Sequence, residues 1–230
     1  MISFVGSWTN AVNNPTSGFF SLSGISAQVG DLAICWWYTR TNTKDLTDAP
    51  TTKHNVSSPG YGRLYVGYTT IQQSHIDLGY CGIFNSNSVS NSTTIWGVAV
   101  FRGVDVSGDP FIAQSGSPAA FTDTNDPDPP AVTTTAGGQC VVTLFGKNND
   151  YTSIATPLLY GSAMGNGGSN SSTAGGDACG GLAYDLDAFV GVNDPAAWTL
   201  GGGATTDDGY VWTAAIASAA EVATKVIVVD

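Results

Sequence analysis

The chain has 230 residues, 42% of them hydrophobic, with 29 glycines and seven basic against 18 acidic side chains, a formal net charge of −11. That balance repels phosphate backbones and argues against nucleic-acid binding, and no apolar run approaches the roughly 20 residues that cross a bilayer as a helix. With a single glutamate, Glu221, and many Asp, Asn, Ser, Thr and Gly, the composition favours turns over helices.

The opening Met1-Ile-Ser-Phe-Val-Gly-Ser carries no basic segment followed by a long apolar stretch, so no signal peptide is read and synthesis in a cytoplasm is expected. The first clear strand is Gly30-Asp-Leu-Ala-Ile-Cys-Trp-Trp-Tyr38, a nearly continuous apolar run of the kind found where both faces are covered. Residues 40–60 follow as a polar, poorly patterned connection. Arg63-Leu-Tyr-Val-Gly-Tyr68 is the next strand, and Ile95-Trp-Gly-Val-Ala-Val-Phe101 is a second doubly covered one. Residues 115–130 contain Asp123-Thr-Asn-Asp-Pro-Asp-Pro-Pro130, which resists both helix and sheet.

Beyond this link come Cys140-Val-Val-Thr-Leu-Phe145 and a connection over 161–181 made mostly of Gly, Ser, Asn and Ala. In 182–188, Leu182, Tyr184, Leu186 and Ala188 alternate with Ala183, Asp185 and Asp187, a strand with one wet face. Tyr210-Val-Trp-Thr-Ala-Ala-Ile216 and Lys225-Val-Ile-Val-Val229 complete the series. Ala214 to Ala223 is the one helix candidate, read as a strand end followed by a helical turn. Three long connections on one domain predict surfaces ordered by a neighbour, with contacts through 40–60 and 115–130.

These elements predict one all-β domain over 1–230, a two-sheet antiparallel β-sandwich of jelly-roll type with little or no helix. The chain also echoes itself. Val29-Gly-Asp-Leu-Ala-Ile-Cys-Trp-Trp is matched by Ala136-Gly-Gly-Gln-Cys-Val-Val-Thr-Leu, and Thr94-Ile-Trp-Gly-Val-Ala-Val-Phe by Tyr210-Val-Trp-Thr-Ala-Ala-Ile-Ala. Two similar strand series, about 1–110 and 130–230, are therefore expected on either side of the Pro/Asp-rich link.

Polar equipment for chemistry is sparse. His54 and His75 neighbour no nucleophile signature and are read as solvated surface residues. Cys35, Cys81, Cys140 and Cys179 have no CxxC spacing and read as buried free thiols. The aspartates keep the company of turns, as in Asp207-Asp208-Gly209, so no catalytic pair and no catalytic residue is assigned. Asp123, Asn125, Asp126 and Asp128 form the one metal candidate, a weak oxygen-ligand set for calcium without the Gly and Glu of an EF-hand loop. No other cofactor is expected. Tyr61 and Trp198 lie in turn-rich segments and are the candidates for stacking on a sugar ring, whereas Trp36, Trp37, Trp96 and Trp212 lie in strands and read as core.

Ile2-Ser-Phe-Val-Gly, Val29-Gly-Asp-Leu-Ala-Ile and Trp96-Gly-Val-Ala-Val-Phe-Arg-Gly-Val-Asp105, followed by a Thr-rich link with proline, resemble in order the jelly-roll modules of tailed-bacteriophage virion proteins. The resemblance spans roughly positions 2 to 217. It departs where Ser58-Pro-Gly-Tyr61 replaces a Pro-Pro-x-Gly-Trp turn. It implies a non-enzymatic structural protein of the virion, a capsid decoration or cement subunit or else a tail or fibre component. The implied partners are other virion proteins and further copies of the chain. The alternative is a carbohydrate- or receptor-binding β-sandwich module on the particle surface.

Overall fold

The computed structural model describes residues 1–13, 15–40, 50–85, 93–122, 126–149, 151–172, 178–202 and 207–219; the strand expected at 225–229 lies outside them. The first half forms β1 (Ser3–Asn13), β2 (Ser17–Ser21), β3 (Leu32–Thr39), β4 (Thr51–Ser58), β5 (Gly62–Thr70), α1 (Gln73–Leu78), β6 (Tyr80–Asn85) and β7 (Thr93–Arg102). The second forms β8 (Phe111–Gln114), β9 (Ala119–Phe121), β10 (Val132–Thr134), β11 (Gln139–Asn148), β12 (Ser153–Ala155), β13 (Leu158–Leu159), β14 (Ser162–Ala163), β15 (Gly165–Ser172), β16 (Ala178–Ala188), β17 (Gly191–Asn193), β18 (Thr199–Gly201) and β19 (Gly209–Ile216).

Two antiparallel sheets carry the fold. The first has the order β1-β7-β3-β5-β4 and the second β15-β16-β11-β19-β8, with β9 also on β19. Substituting β8 for β1, β11 for β3, β15 for β4, β16 for β5 and β19 for β7 turns one order into the other. The sequence echo paired β3 with β11 and β7 with β19, and those strands occupy equivalent places. Each half thus completes its own sheet, whereas a strict jelly roll passes successive strands from one layer to the other.

Alternation along β3 divides the core. Leu32, Ile34, Trp36 and Tyr38 enter the cluster shared with the second sheet, while Ala33, Cys35 and Trp37 enter a separate one on the outer face. The outer cluster is roofed by the paired β2 and β6, which contribute Phe20, Cys81 and Phe84. This double cover explains why all of β3 is buried, as its apolar run predicted. The outer face of the second sheet is likewise covered: Phe145 of β11 packs on Trp198, with ring centroids 4.7 Å apart. Burying each such side chain stabilises the fold by roughly 1.5–3 kcal/mol.

Between the sheets, large side chains of one layer sit over glycines of the other. A Cβ on Gly146 would lie 2.3 Å from Tyr38 Cδ2, and one on Gly180 would lie 3.0 Å from Trp36 Cζ3. Aromatic rings also bridge the layers, with Phe4 stacked on Tyr184 at 4.4 Å and Tyr68 edge-on to Phe111 at 5.5 Å.

Three connections differ from expectation. Thr51–Ser58, read as loop, is edge strand β4, whose polar side chains suit a strand with one half-wet face. Gly165–Ser172, also read as loop, is β15, paired along β16. Ala214–Ile216 end β19, as expected for the start of 214–223, and residues 220–223 lie outside the described residues; a short helix not read from the sequence lies at Gln73–Leu78. Gln72 N–H donates to His75 Nδ1 at its start, and Gly79 ends it at φ 75°, a left-handed conformation that glycine adopts without steric cost.

Candidate functional site

A groove of about 620 Å³ opens on the outer face of the first sheet, between β1 and the β2–β6 roof. The alternation of β1 sends Trp8, Asn10 and Val12 to one side, and the register sets Asn10 beside Trp96. Trp96 forms the floor; its Nε1 donates to the Phe19 carbonyl at 2.9 Å. The rings of Trp8 and Trp96 lie 6.3 Å apart at 57°, and Phe19 and Tyr80 form a second pair 5.0 Å apart. Gly18 brings β2 down onto this floor, for a Cβ there would sit 2.4 Å from Phe84 and 3.0 Å from Trp96. Thr16, Ser17 and Ser21 supply hydroxyls, and among the described residues none that lines the groove is charged. The arrangement offers ring faces, hydroxyls and an amide, which suits stacking and hydrogen bonding.

The sequence-derived stacking candidates lie elsewhere. Trp198 is 0% exposed, its ring against Phe145 and its backbone N–H donating to the Pro127 carbonyl at 3.0 Å, so it presents no face to a ligand. Tyr61 is half-buried against Tyr210, and its carbonyl accepts from Tyr38 Oη at 2.8 Å. Trp8 and Phe19 were missed because single aromatics among Ser, Thr, Asn and Gly read as strand or turn composition. The signal that could have found them is that Trp8, alone of the six tryptophans, lies outside the apolar strand bursts and the Pro/Gly-rich turns.

Of the calcium candidates, Asp123 and Asn125 lie outside the described residues. Asp126 and Asp128 are exposed, flanking the buried Pro127. Among the described residues no group of three or more His, Cys, Asp or Glu is placed to hold a metal ion. Both histidines have structural contacts. His75 serves α1, and His54 on β4 lies 3.1 Å from Gln114 Oε1 with its ring 5.1 Å from Trp212. Burial there lowers the His54 pKa, against the opposing effect of the Gln114 contact. All four cysteines are buried free thiols, and Cys35 and Cys81 meet at 3.8 Å. Burial pushes the Cys35 and Cys140 thiols well above their ordinary pKa.

The two motif stretches meet in space. Asp31 of the Gly-Asp turn accepts from Arg102 Nε and Nη2, both at 2.9 Å, and from Gln28 N–H at 2.8 Å; Arg102 also donates to the Ser26 carbonyl. Directly after Arg102, Gly103 at φ 77° lets the chain pass Met1, whose carbonyl oxygen a Cβ would approach to 2.4 Å. Asp105 N–H then donates to the Ala217 carbonyl, tying the end of the first half to the end of the second. These motif residues build a joint.

Lys147 is fully buried on the outer face of β11, donating to Tyr151 Oη with its ammonium 4.9 Å from the ring centroid. Burial lowers its pKa below 10.5, while Cys179, Asp207, Asp126 and Asp208 pull it back up. A lysine depressed in the folded state destabilises the fold while protonated, and that penalty lifts as pH rises from the folded toward the unfolded value. Denaturant midpoints should therefore show wild type gaining on Lys147→Met between pH 7 and pH 10; a constant difference would contradict this coupling.

A second surface feature is apolar. Leu158, Tyr160, Phe189, Val190 and Val192 are 47–61% exposed around the β13–β14 turn and the approach to β17. The rings of Tyr160 and Phe189 meet edge-on at 4.6 Å, and Tyr160 Oη donates to Val192 O and Asn193 Oδ1. Those bonds hold Tyr160 at φ 52°, a left-handed conformation that is uncommon for a tyrosine. The patch is thus a fixed surface. Compared with protein-family models, curated proteins and solved structures, the chain matches none.

Proposed function

We propose that this chain is a structural component of a tailed-bacteriophage particle, a capsid decoration or cement subunit that binds across neighbouring shell proteins, with a tail or fibre position as the other placement. The relation proposed to the phage modules rests on their two-layered all-β build and ordered motifs; it does not extend to jelly-roll connectivity. The observation that carries the reading is the apolar patch of Leu158, Tyr160, Phe189, Val190 and Val192, because contiguous exposed apolar surface marks sites of association. The segments 40–60 and 115–130, also expected to make contacts, include 41–49 and 123–125, which lie outside the described residues.

Attachment by such a patch stabilises the assembled shell by mass action, and repetition on a symmetric lattice adds avidity without new contacts. Further copies of the chain are natural partners on such a lattice. After synthesis in the host cytoplasm, the chain should co-purify with intact particles in a fixed ratio to the major shell protein, as read by quantitative mass spectrometry. Absence from purified particles would overturn the reading. A Phe189→Asp/Val192→Asp variant, altered only at exposed positions, should fold normally and lose at least tenfold in occupancy. Unchanged occupancy would remove the patch as the attachment face.

A further inference from the structure

We propose that the groove between β1 and the β2–β6 roof is a binding site for a neutral oligosaccharide. Its volume, about 620 Å³, falls within the roughly 300–1,000 Å³ of small-molecule clefts. The choice of ligand follows from the lining. Trp8, Phe19, Tyr80 and Trp96 offer ring surface for the C–H faces of pyranoses, while Asn10, Thr16, Ser17 and Ser21 surround them with groups that pair with hydroxyls. Among the described residues no lysine or arginine lines it to hold a phosphate or carboxylate, and no aspartate or glutamate to hold an amine. The net charge of −11 further disfavours acidic glycans. Among the described residues the side chains of Trp8, Thr16 and Ser17 make no hydrogen bond, so their polar groups are open to a ligand.

The tryptophan distribution provides the readout. Trp36, Trp37, Trp96, Trp198 and Trp212 are at most 3% exposed, which leaves Trp8 as the one indole within reach of solvent quenchers. The experiment uses the purified full chain on an array of neutral and sialylated oligosaccharides, followed by acrylamide quenching of tryptophan fluorescence during titration with the bound neutral glycan. Binding to a neutral glycan with loss of quenching is the expected result. Trp8→Ala should weaken binding at least tenfold. Phe19→Ala, at a side chain 53% exposed and so tolerant of truncation, should weaken it several-fold even if the Trp8 variant misfolds. Ile112→Ala on β8, 45% exposed and far along the other sheet, should leave it unchanged.

An array without hits, binding confined to sialylated glycans, or affinity unmoved by both groove variants would each overturn the proposal. So would self-association abolished by Phe19→Ala, which would give the groove to a second copy. The site needs no particle for its test, so it stands or falls separately from the attachment reading.

Discussion

Replacing Gly146 with alanine should destabilise the protein by about 3 kcal/mol or more, a large part of the roughly 5–15 kcal/mol that holds a typical domain together. The added Cβ would lie 2.3 Å from Tyr38 Cδ2, 2.4 Å from Cγ and 2.7 Å from Cβ, so rotating the phenol does not relieve the clash. Tyr38 cannot retreat. It is fully buried, and its hydroxyl makes 2.8 Å contacts with the Tyr61 carbonyl and Asn148 Oδ1, while Asn148 Nδ2 donates to the Gly60 carbonyl. This network joins β3, the β4–β5 turn and β11, so moving the ring separates the layers and breaks bonds whose buried loss costs about 1–3 kcal/mol each. Chemical denaturation measures the effect. A double-mutant cycle with Tyr38→Leu should show the two changes costing less together than separately, because the smaller side chain vacates the space the new methyl needs. Strict additivity would mean that the layers do not meet at this point.

The same interlock explains what the sequence made legible. β3, β7, β11 and β19 are covered on both faces, so their apolar runs announce them and their echo announces the duplicated sheet. β15 is the opposite case. Gly165-Asn-Gly-Gly-Ser-Asn-Ser-Ser172 has almost no β-propensity, yet it is a strand because large neighbours lie over it: a Cβ on Gly165 would strike Tyr184 at 2.4 Å, and one on Gly167 would strike Leu182 at 2.3 Å. Composition that signals a flexible loop here reflects space already taken by residues on β16. Such a demand comes from the partner strand and is invisible in the local segment.

The groove was hidden for a related reason. Its aromatic residues are Trp8, Phe19, Tyr80 and Trp96, drawn from four strands and nearly ninety positions apart at the extremes. Only the folding of β2 and β6 over the first sheet collects them. Turn-rich surroundings are a poor guide to exposure in this chain, since Pro127, Pro129 and Pro195 are buried and Trp198 packs on Phe145 of β11. The Gly-Asp and Arg-Gly stretches, by contrast, stood out in the sequence, and in the fold Asp31 and Arg102 pair to brace a joint.

Trp198→Ala should be the second severe substitution, costing about 3–5 kcal/mol, the usual toll for emptying a buried tryptophan site. A residue held for ligand stacking would instead lower binding and leave stability nearly unchanged. The indole seals the outer face of the second sheet over Phe145, and the backbone at this position anchors the Pro/Asp-rich link through the Pro127 carbonyl. Loss of the ring should loosen that cover, so limited proteolysis should cut the 126–130 link faster in the variant than in wild type. Trp198→Phe separates packing from polarity. Trp198 Nε1 is buried without a partner among the described residues, a donor whose burial costs about 1–3 kcal/mol. Phenylalanine removes this cost while keeping most of the contact with Phe145, so Trp198→Phe should recover more than half of the stability lost in the alanine variant. Equal losses for the two variants would mean that the indole nitrogen has a partner after all, and that Trp198 is fixed by a hydrogen bond as well as by its shape.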